Sequence, residues 1–149
     1  MYLKPIGVIF DKSTIKISPE WNEALAGISG FSHIVVLFWM HKVTAEKRHV
    51  KKMKPCTTNS LKGVLATRMP FRPNPIGLSI VRLVSRRKNI LKIDGIDAHE
   101  NTPVLDIKPY TGHPKDLILN CRKPSWIAKN KKGLRWLADR PFHPHTITV

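Results

Sequence analysis

The amino-acid sequence predicts a mainly β protein: a single small β-barrel with one short early helix and short helices near the C-terminus. Many short runs of β-branched and aromatic residues are separated by turn-forming residues, a pattern typical of barrels and sandwiches. Only one early segment, beginning at Ser18-Pro19-Glu20, carries strong helix-start signals. The 149 residues, 42% of them hydrophobic, are enough for one domain with its own core.

The predicted strands follow from apolar runs and from alternation of apolar and polar residues. The stretch 31–40 is almost wholly apolar, so we expect a central strand that is buried on both faces. In the strand 77–84 we expect Leu78, Ile80 and Val81 near the core and Arg82 in solvent. The other predicted strands are 6–10, 14–17, 63–67, 90–96 and 104–107.

The predicted early helix has Ser18 as its N-cap and ends at Gly27 or Gly30. It should direct Trp21, Ala24 and Leu25 toward the core. Short helices are expected at 125–131 and 134–138, followed by an extended tail at 141–145. We therefore expect one domain over 1–149, with a basic C-terminal extension at about 113–149.

The charge of the chain is its most unusual bulk property. Lys and Arg total 26 against 10 Asp and Glu, a formal net charge of +16. So large a charge favours a polyanionic partner, most simply a nucleic acid, over a merely solvated basic surface. The two cysteines, Cys56 and Cys121, form no framework and are expected as reduced, buried thiols. Without a signal-like or membrane-length apolar segment, a cytoplasmic protein with no membrane partner is expected.

Three blocks of sequence contain the candidate functional residues. The apolar strand ends in His41-Lys42, which places a titratable ring and a cation at the rim of the sheet, although a polar strand end would look the same. The stretch 67–77 holds three prolines within six residues. It predicts a rigid loop that presents Arg68, Arg72 and Asn74 in fixed directions.

The third block, 97–110, concentrates acidic residues in a chain that has few. Asp97, Glu100 and Asp106 accompany Lys108 and Tyr110 around one short strand. These acids could bind ribose hydroxyls, pair with arginines or lie near a cation. An ion pair between Asp106 and Lys108 that only supports the structure is an equally good interpretation of the spacing.

These blocks resemble a known family. The stretches KPIGVI, GFSHIVVLFWMHK, GVLATRMPFRPNPIGLSIVRLV and TPVLDIKPY are similar to the TsaA-like (TrmO-type) proteins over residues 4–112. The resemblance implies an enzyme that uses S-adenosylmethionine to methylate N6 of a modified adenosine beside the tRNA anticodon. It also implies a β-barrel unlike the Rossmann methyltransferases, a homodimer, and tRNA as partner.

Transferred position by position, the resemblance implies two sets of site residues. The cofactor-binding set is His41, Lys42, Arg68, Ile80, Ile96, Asp97, Ala98 and His99. The set around the methyl group and target base is Asn74, Asp106, Lys108 and Tyr110, with Asp106 as the candidate general base. Compared with the family pattern, the segment after the first strand is shorter, and the usual glycine and acid before Thr-Pro are replaced by Glu100-Asn101.

Two other functions stay open on the sequence alone. A non-catalytic RNA-binding module on the same barrel would also explain the charge, and binding of S-adenosylmethionine distinguishes it from the enzyme. A metal site that uses His143, His145, His113 or Cys121 is disfavoured, because the spacing is loose and the cysteine is isolated. No metal is therefore expected.

Overall fold

The computed structural model describes residues 2–112 and 122–128. Its strands are β1 Gly7–Asp11, β2 Thr14–Ile17, β3 His33–Trp39, β4 Lys52–Met53, β5 Lys62–Gly63, β6 Ile76–Arg87, β7 Ile90–Ile93 and β8 Thr102–Pro109. Two short α-helices are α1 Ala45–Arg48 and α2 Ser125–Ala128. Single turns of 3-10 helix span Pro19–Trp21, Glu23–Leu25, Ile28–Gly30 and Val64–Ala66. The prediction of a mainly β chain with few short helices is confirmed.

Six strands form one antiparallel barrel in the order β1-β2-β7-β6-β3-β8. The barrel closes because β8 also pairs with β1, where Gly7 lies opposite Val104. The short strands β4 and β5 form a separate two-stranded sheet within the long connection between β3 and β6. Closure leaves no exposed edge on the barrel, and connections of different length meet at its ends.

The barrel interior is filled by alternate residues of each strand. In β3, Ile34, Val36 and Phe38 are buried, whereas the residues between them are only partly buried. The strand is central, since it pairs along its length with β6 and β8. The expectation that it is buried on both faces is wrong, because one face of a barrel strand points outward.

The orientation of β6 also differs from the prediction. Gly77, Ser79 and Val81 point inward and are buried, while Leu78 and Ile80 lie on the partly exposed outer face. The sequence did not show which face of β6 points inward, because two of the inward residues are small and the outer face carries large apolar residues. Arg82 is exposed as predicted.

The predicted early helix is replaced by three 3-10 turns. The N–H groups of Asn22 and Ala26 donate to the carbonyls three residues earlier, at Pro19 and Glu23. Ser18 makes no side-chain capping hydrogen bond, and Trp21 and Ala24 are exposed. Of the three side chains predicted to point toward the core, only Leu25 is buried.

Smaller differences concern the later segments. The predicted strand 63–67 is strand only at Gly63, because 3-10 helix begins at Val64, and β7 ends at Ile93 rather than at Ile96. Cys56 is exposed, so its prediction as a buried thiol is wrong. Cys121, the predicted helix 134–138, the tail 141–145 and most of the C-terminal extension lie outside the described residues.

Among residues 2–112 and 122–128, no helix has the length and apolar character needed to cross a bilayer.

Candidate functional site

Four connections of the barrel meet at one of its ends. They are the β1–β2 turn, the segment after β3, the proline-rich loop before β6, and the connection from β7 to β8. Backbone hydrogen bonds tie them together: Met40 N–H donates to Pro75 O (2.8 Å) and Ile96 N–H to Lys12 O (2.9 Å). Antiparallel order therefore brings residues distant in sequence to a common rim.

These connections enclose a cavity of about 660 Å³, which we call the rim cavity. Its volume lies within the range of about 300–1,000 Å³ that is usual for small-molecule sites. Aromatic and apolar side chains form part of its wall, and polar and charged side chains form the remainder. The lining residues are Lys12, Phe38, Met40, His41, Lys42, Val43, Arg68, Pro70, Phe71, Asp97, Ala98, His99 and Thr102.

The charged lining of the rim cavity is mostly positive. Among the residues that the structure describes, Lys12, Lys42 and Arg68 provide three cations to the lining, and Asp97 is its one carboxylate. All four side chains belong to exposed residues, so water screens their mutual interactions. Such a mixture suits a ligand that carries both an anionic group and hydroxyl or ammonium groups.

His41 is one of two histidines in the described lining of the cavity, and His99 is the other. The Nδ1 of His41 lies 3.3 Å from the hydroxyl of Thr102, which is buried at the start of β8. Partial burial lowers the pKa of His41, and the nearby positive charge of Lys42 and the ring of His99 lower it further. Since the ordinary pKa of histidine is about 6.5, the ring is mainly neutral at pH 7.

Asn101 shapes the turn that delivers Thr102 to the cavity. Its φ is 61°, in the left-handed region that asparagine tolerates better than most residues. The N–H of Asn101 donates to Ile9 O (2.7 Å), and that of Thr102 donates to His99 O (3.2 Å). Asparagine is therefore well suited to this position of the turn.

The proline-rich loop uses its three polar side chains differently. Arg72 donates to the carbonyls of Thr67 (2.7 Å) and Val64 (3.3 Å), so it supports the loop from within. Arg68 lines the rim cavity. Asn74 is exposed and does not line the cavity, while its carbonyl accepts the N–H of Ile76 (2.8 Å).

The structure brings six of the predicted cofactor-binding residues together at the rim cavity: His41, Lys42, Arg68, Asp97, Ala98 and His99. The other two lie elsewhere. Ile80 is on the outer face of β6 opposite Val35, and Ile96 is buried in the hydrophobic core.

The residues predicted around the target base do not line the rim cavity of their own chain. Asp106 and Lys108 lie on β8 opposite Leu37 and Val35. Their side chains form an ion pair of 2.6 Å, with Lys108 Nζ donating to Asp106 Oδ2. Tyr110 follows β8, and its N–H donates to His33 O at the far end of β3.

Sequence reasoning missed several lining residues. Lys12, Phe38 and Val43 were not among the predicted site residues, and Thr102 was included only as a member of the block 97–110. Their convergence depends on the order of strands in the barrel, which residue patterns do not reveal. Pro70 and Phe71 did lie within the loop identified from its prolines. Among the described residues, no cluster of histidine, cysteine or acidic side chains could hold a metal ion.

The chain was compared with known proteins. Residues 4–114 match the family described as the tRNA-methyltransferase O N-terminal domain. A probable S-adenosyl-L-methionine-binding protein of Pyrococcus abyssi is 40% identical over 128 residues, covering 86% of this chain and 67% of that protein. A similarly named protein of Methanocaldococcus jannaschii is 43% identical over 116 residues, covering 74% of this chain and 92% of that protein.

Solved structures agree with this relationship. A crystal structure of TrmO has a TM-score of 0.65 and 32% identity, covering 83% of this chain and 62% of that chain. TrmO from Pseudomonas aeruginosa gives a TM-score of 0.64 and 30% identity, covering 84% and 61%. The chain thus spans about three fifths of the length of these solved proteins. By sequence and by fold, it belongs to the tRNA-methyltransferase O N-terminal domain family.

Proposed function

We propose that this protein is an S-adenosylmethionine-dependent methyltransferase that modifies N6 of an already modified adenosine beside the tRNA anticodon. The observation that carries the proposal is the rim cavity, to which six residues selected on family resemblance contribute. Relatives named for binding S-adenosylmethionine support the choice of cofactor. The high positive charge supports an RNA substrate.

The lining of the rim cavity fits the chemical groups of this cofactor. Arg68 and Lys42 are suited to its carboxylate, and Asp97 to its ribose hydroxyls or ammonium group. Phe38, Met40 and Phe71 offer apolar surface to the less polar parts of the ligand. When bound, S-adenosylmethionine supplies an electrophilic methyl group.

The contribution of the protein is alignment and exclusion of water. Methyl transfer to an amine requires the nitrogen lone pair to face the methyl group, and holding that geometry accounts for much of the acceleration. A neutral His41 adds no further positive charge to a cavity that must accept a sulfonium cation.

The amine loses a proton during the reaction, so an acceptor is needed. Asp106 is the acceptor that the family resemblance suggests, with Asn74, Lys108 and Tyr110 near the base. Because Asp106 does not line the rim cavity of its own chain, this role requires a second copy to bring it there. Within one chain, His41 lines the cavity with a lowered pKa and is our candidate acceptor there.

A homodimer is the proposed assembly, and the outer face of β3 and β6 is its proposed interface. Three cross-strand pairs, Val35 with Ile80, Leu37 with Leu78 and Trp39 with Ile76, form this outer apolar face. All six residues are partly exposed. Contiguous apolar surface of this kind commonly marks an interface.

Substitution of Leu37 tests the assembly. Leu37→Asp places a charge at the centre of the outer apolar face, so we expect it to convert the dimer into a folded monomer. Sedimentation should give twice the 17.0 kDa chain mass for the unaltered protein and one chain mass for the variant. Leu61→Asp, at an exposed leucine off this face, is the control. A monomeric unaltered protein, or a dimeric Leu37→Asp variant, would contradict the interface.

Binding of S-adenosylmethionine tests the proposed cofactor. Calorimetric titration of the unaltered protein should show binding in the micromolar range. Arg68→Ala should weaken it by at least about tenfold, since one charge-assisted hydrogen bond contributes about 1.5–3 kcal/mol and about 1.4 kcal/mol corresponds to tenfold. Arg87→Ala removes another exposed arginine, at the far end of β6, and should leave binding unchanged.

Failure to bind would favour the second candidate, a non-catalytic RNA-binding module. The net charge of +16 favours that candidate as much as it favours an RNA-modifying enzyme. Absence of S-adenosylmethionine binding, both with and without tRNA, together with retained tRNA binding, would select the module.

A further inference from the structure

A second cavity lies on the long connection between β3 and β6. Its volume is about 410 Å³, and we call it the side cavity. Val64, Leu65 and Pro73 form apolar wall, while Arg48 and Lys51 provide cations. None of these five residues lines the rim cavity.

The two cavities are neighbours that share structural support. Arg48 lines the side cavity, and its guanidinium donates to the carbonyl of Val43, which lines the rim cavity (3.2 Å from Nη2). The preceding residue, Lys47, holds its ammonium group 5.2 Å from the ring centre of Phe71, another rim-cavity residue. A polymer bound at one cavity therefore passes close to the other.

The segment that carries the side cavity is strongly basic. Residues 42–72 contain nine Lys and Arg and one acid, Glu46, so eight of the sixteen net positive charges fall in this stretch. Several of these cations are already engaged, as Arg48 is with Val43 and with the ring of Trp39. Lys51 is exposed, and its ammonium group has no hydrogen bond or ion pair among the described residues.

The apolar wall of the side cavity is unusually open to solvent. Leu65 is 72% exposed although it lies in an ordered turn beside Pro73. An exposed leucine, a proline and an unpaired lysine form a surface that is apolar on one side and cationic on the other. A nucleotide has the matching character, with a flat base and an anionic phosphate.

We propose that the side cavity binds a nucleotide of the RNA that flanks the target adenosine. Its base packs on Leu65 and Pro73, and its phosphate pairs with Lys51. This inference rests on the proposed function, since it assumes that the target nucleotide enters the rim cavity. It assigns the side cavity to RNA binding and not to the cofactor.

Two double variants matched in charge and residue type test the proposal. Lys51→Ala/Leu65→Ser alters the side cavity. Lys54→Ala/Leu61→Ser alters an exposed lysine and an exposed leucine of the same segment that line neither cavity. Binding to an unmodified tRNA transcript is measured over a range of salt concentrations, and binding of S-adenosylmethionine is measured on the same preparations.

We expect the side-cavity variant to bind tRNA about tenfold more weakly, through loss of one phosphate contact and one apolar contact. The slope of log affinity against log salt should fall by about 0.7–0.9. The control should lose no more than about threefold, and both variants should bind S-adenosylmethionine normally. Equal losses in both variants, no loss in either, or no tRNA binding by the unaltered protein would overturn the proposal. If the unaltered protein itself did not bind S-adenosylmethionine, that result would instead contradict the proposed function.

Discussion

Ala98→Trp is expected to abolish S-adenosylmethionine binding, weakening it by at least roughly 100-fold. Ala98 lines the rim cavity and packs against the edge of the hydrophobic core. An indole at this position occupies space that the ligand needs, and a loss of about 2.8 kcal/mol already corresponds to 100-fold. Calorimetric titration measures the effect directly.

The control for this variant is Ala66→Trp. Ala66 is exposed in the 3-10 turn Val64–Ala66 and lines neither cavity. It should bind the cofactor as the unaltered protein does, and both variants should retain cooperative thermal unfolding. Normal cofactor affinity in a folded Ala98→Trp variant would place the binding site outside the rim cavity.

Gly77→Ala is expected to destabilise the protein by about 3 kcal/mol, the upper part of the range for overpacked cores. A Cβ at this position would lie 2.3 Å from Cε2 and 2.4 Å from Cζ of Phe38. Phe38 is only 2% exposed, so its ring has little room to move away. The same ring lines the rim cavity, and its displacement should also weaken cofactor binding.

Urea unfolding measures this loss, and two further variants isolate its cause. Gly63→Ala makes the same substitution at φ −59° with no atom within 4 Å of the new Cβ, so it should change stability by less than about 0.5 kcal/mol. Phe38→Leu removes the ring, so the added cost of Gly77→Ala in that background should fall below about 1 kcal/mol. An undiminished cost there would mean that the ring contact is not the cause.

Strand positions were predicted well where the local pattern is sufficient. The second strand was predicted at 14–17 and is observed at Thr14–Ile17, because two turns bound it closely. The orientation of β6 could not be predicted, since the interior positions Gly77 and Ser79 are small and both faces carry large apolar residues. The structure shows why a glycine is needed inside the barrel at position 77: the ring of Phe38 packs where a Cβ would lie.

The candidate site was predictable only where local sequence and family resemblance identify its residues. Segments at strand ends, such as His41-Lys42 and 97–99, could be selected from residue types and family resemblance, and they do meet at the rim cavity. The contribution of Lys12 depends on which hairpin lies beside which loop, a property of the closed barrel. Asp106 and Lys108 match the family pattern, yet their ion pair lies on β8 away from that cavity.

Methyl transfer from labelled S-adenosylmethionine to tRNA tests the central claim most directly. The tRNA should carry the modified adenosine beside the anticodon, and the product should be digested to nucleosides and identified. The proposed function predicts label on N6 of that adenosine with the unaltered protein and none with Ala98→Trp. Absence of label, from a preparation that binds both S-adenosylmethionine and tRNA, would contradict it.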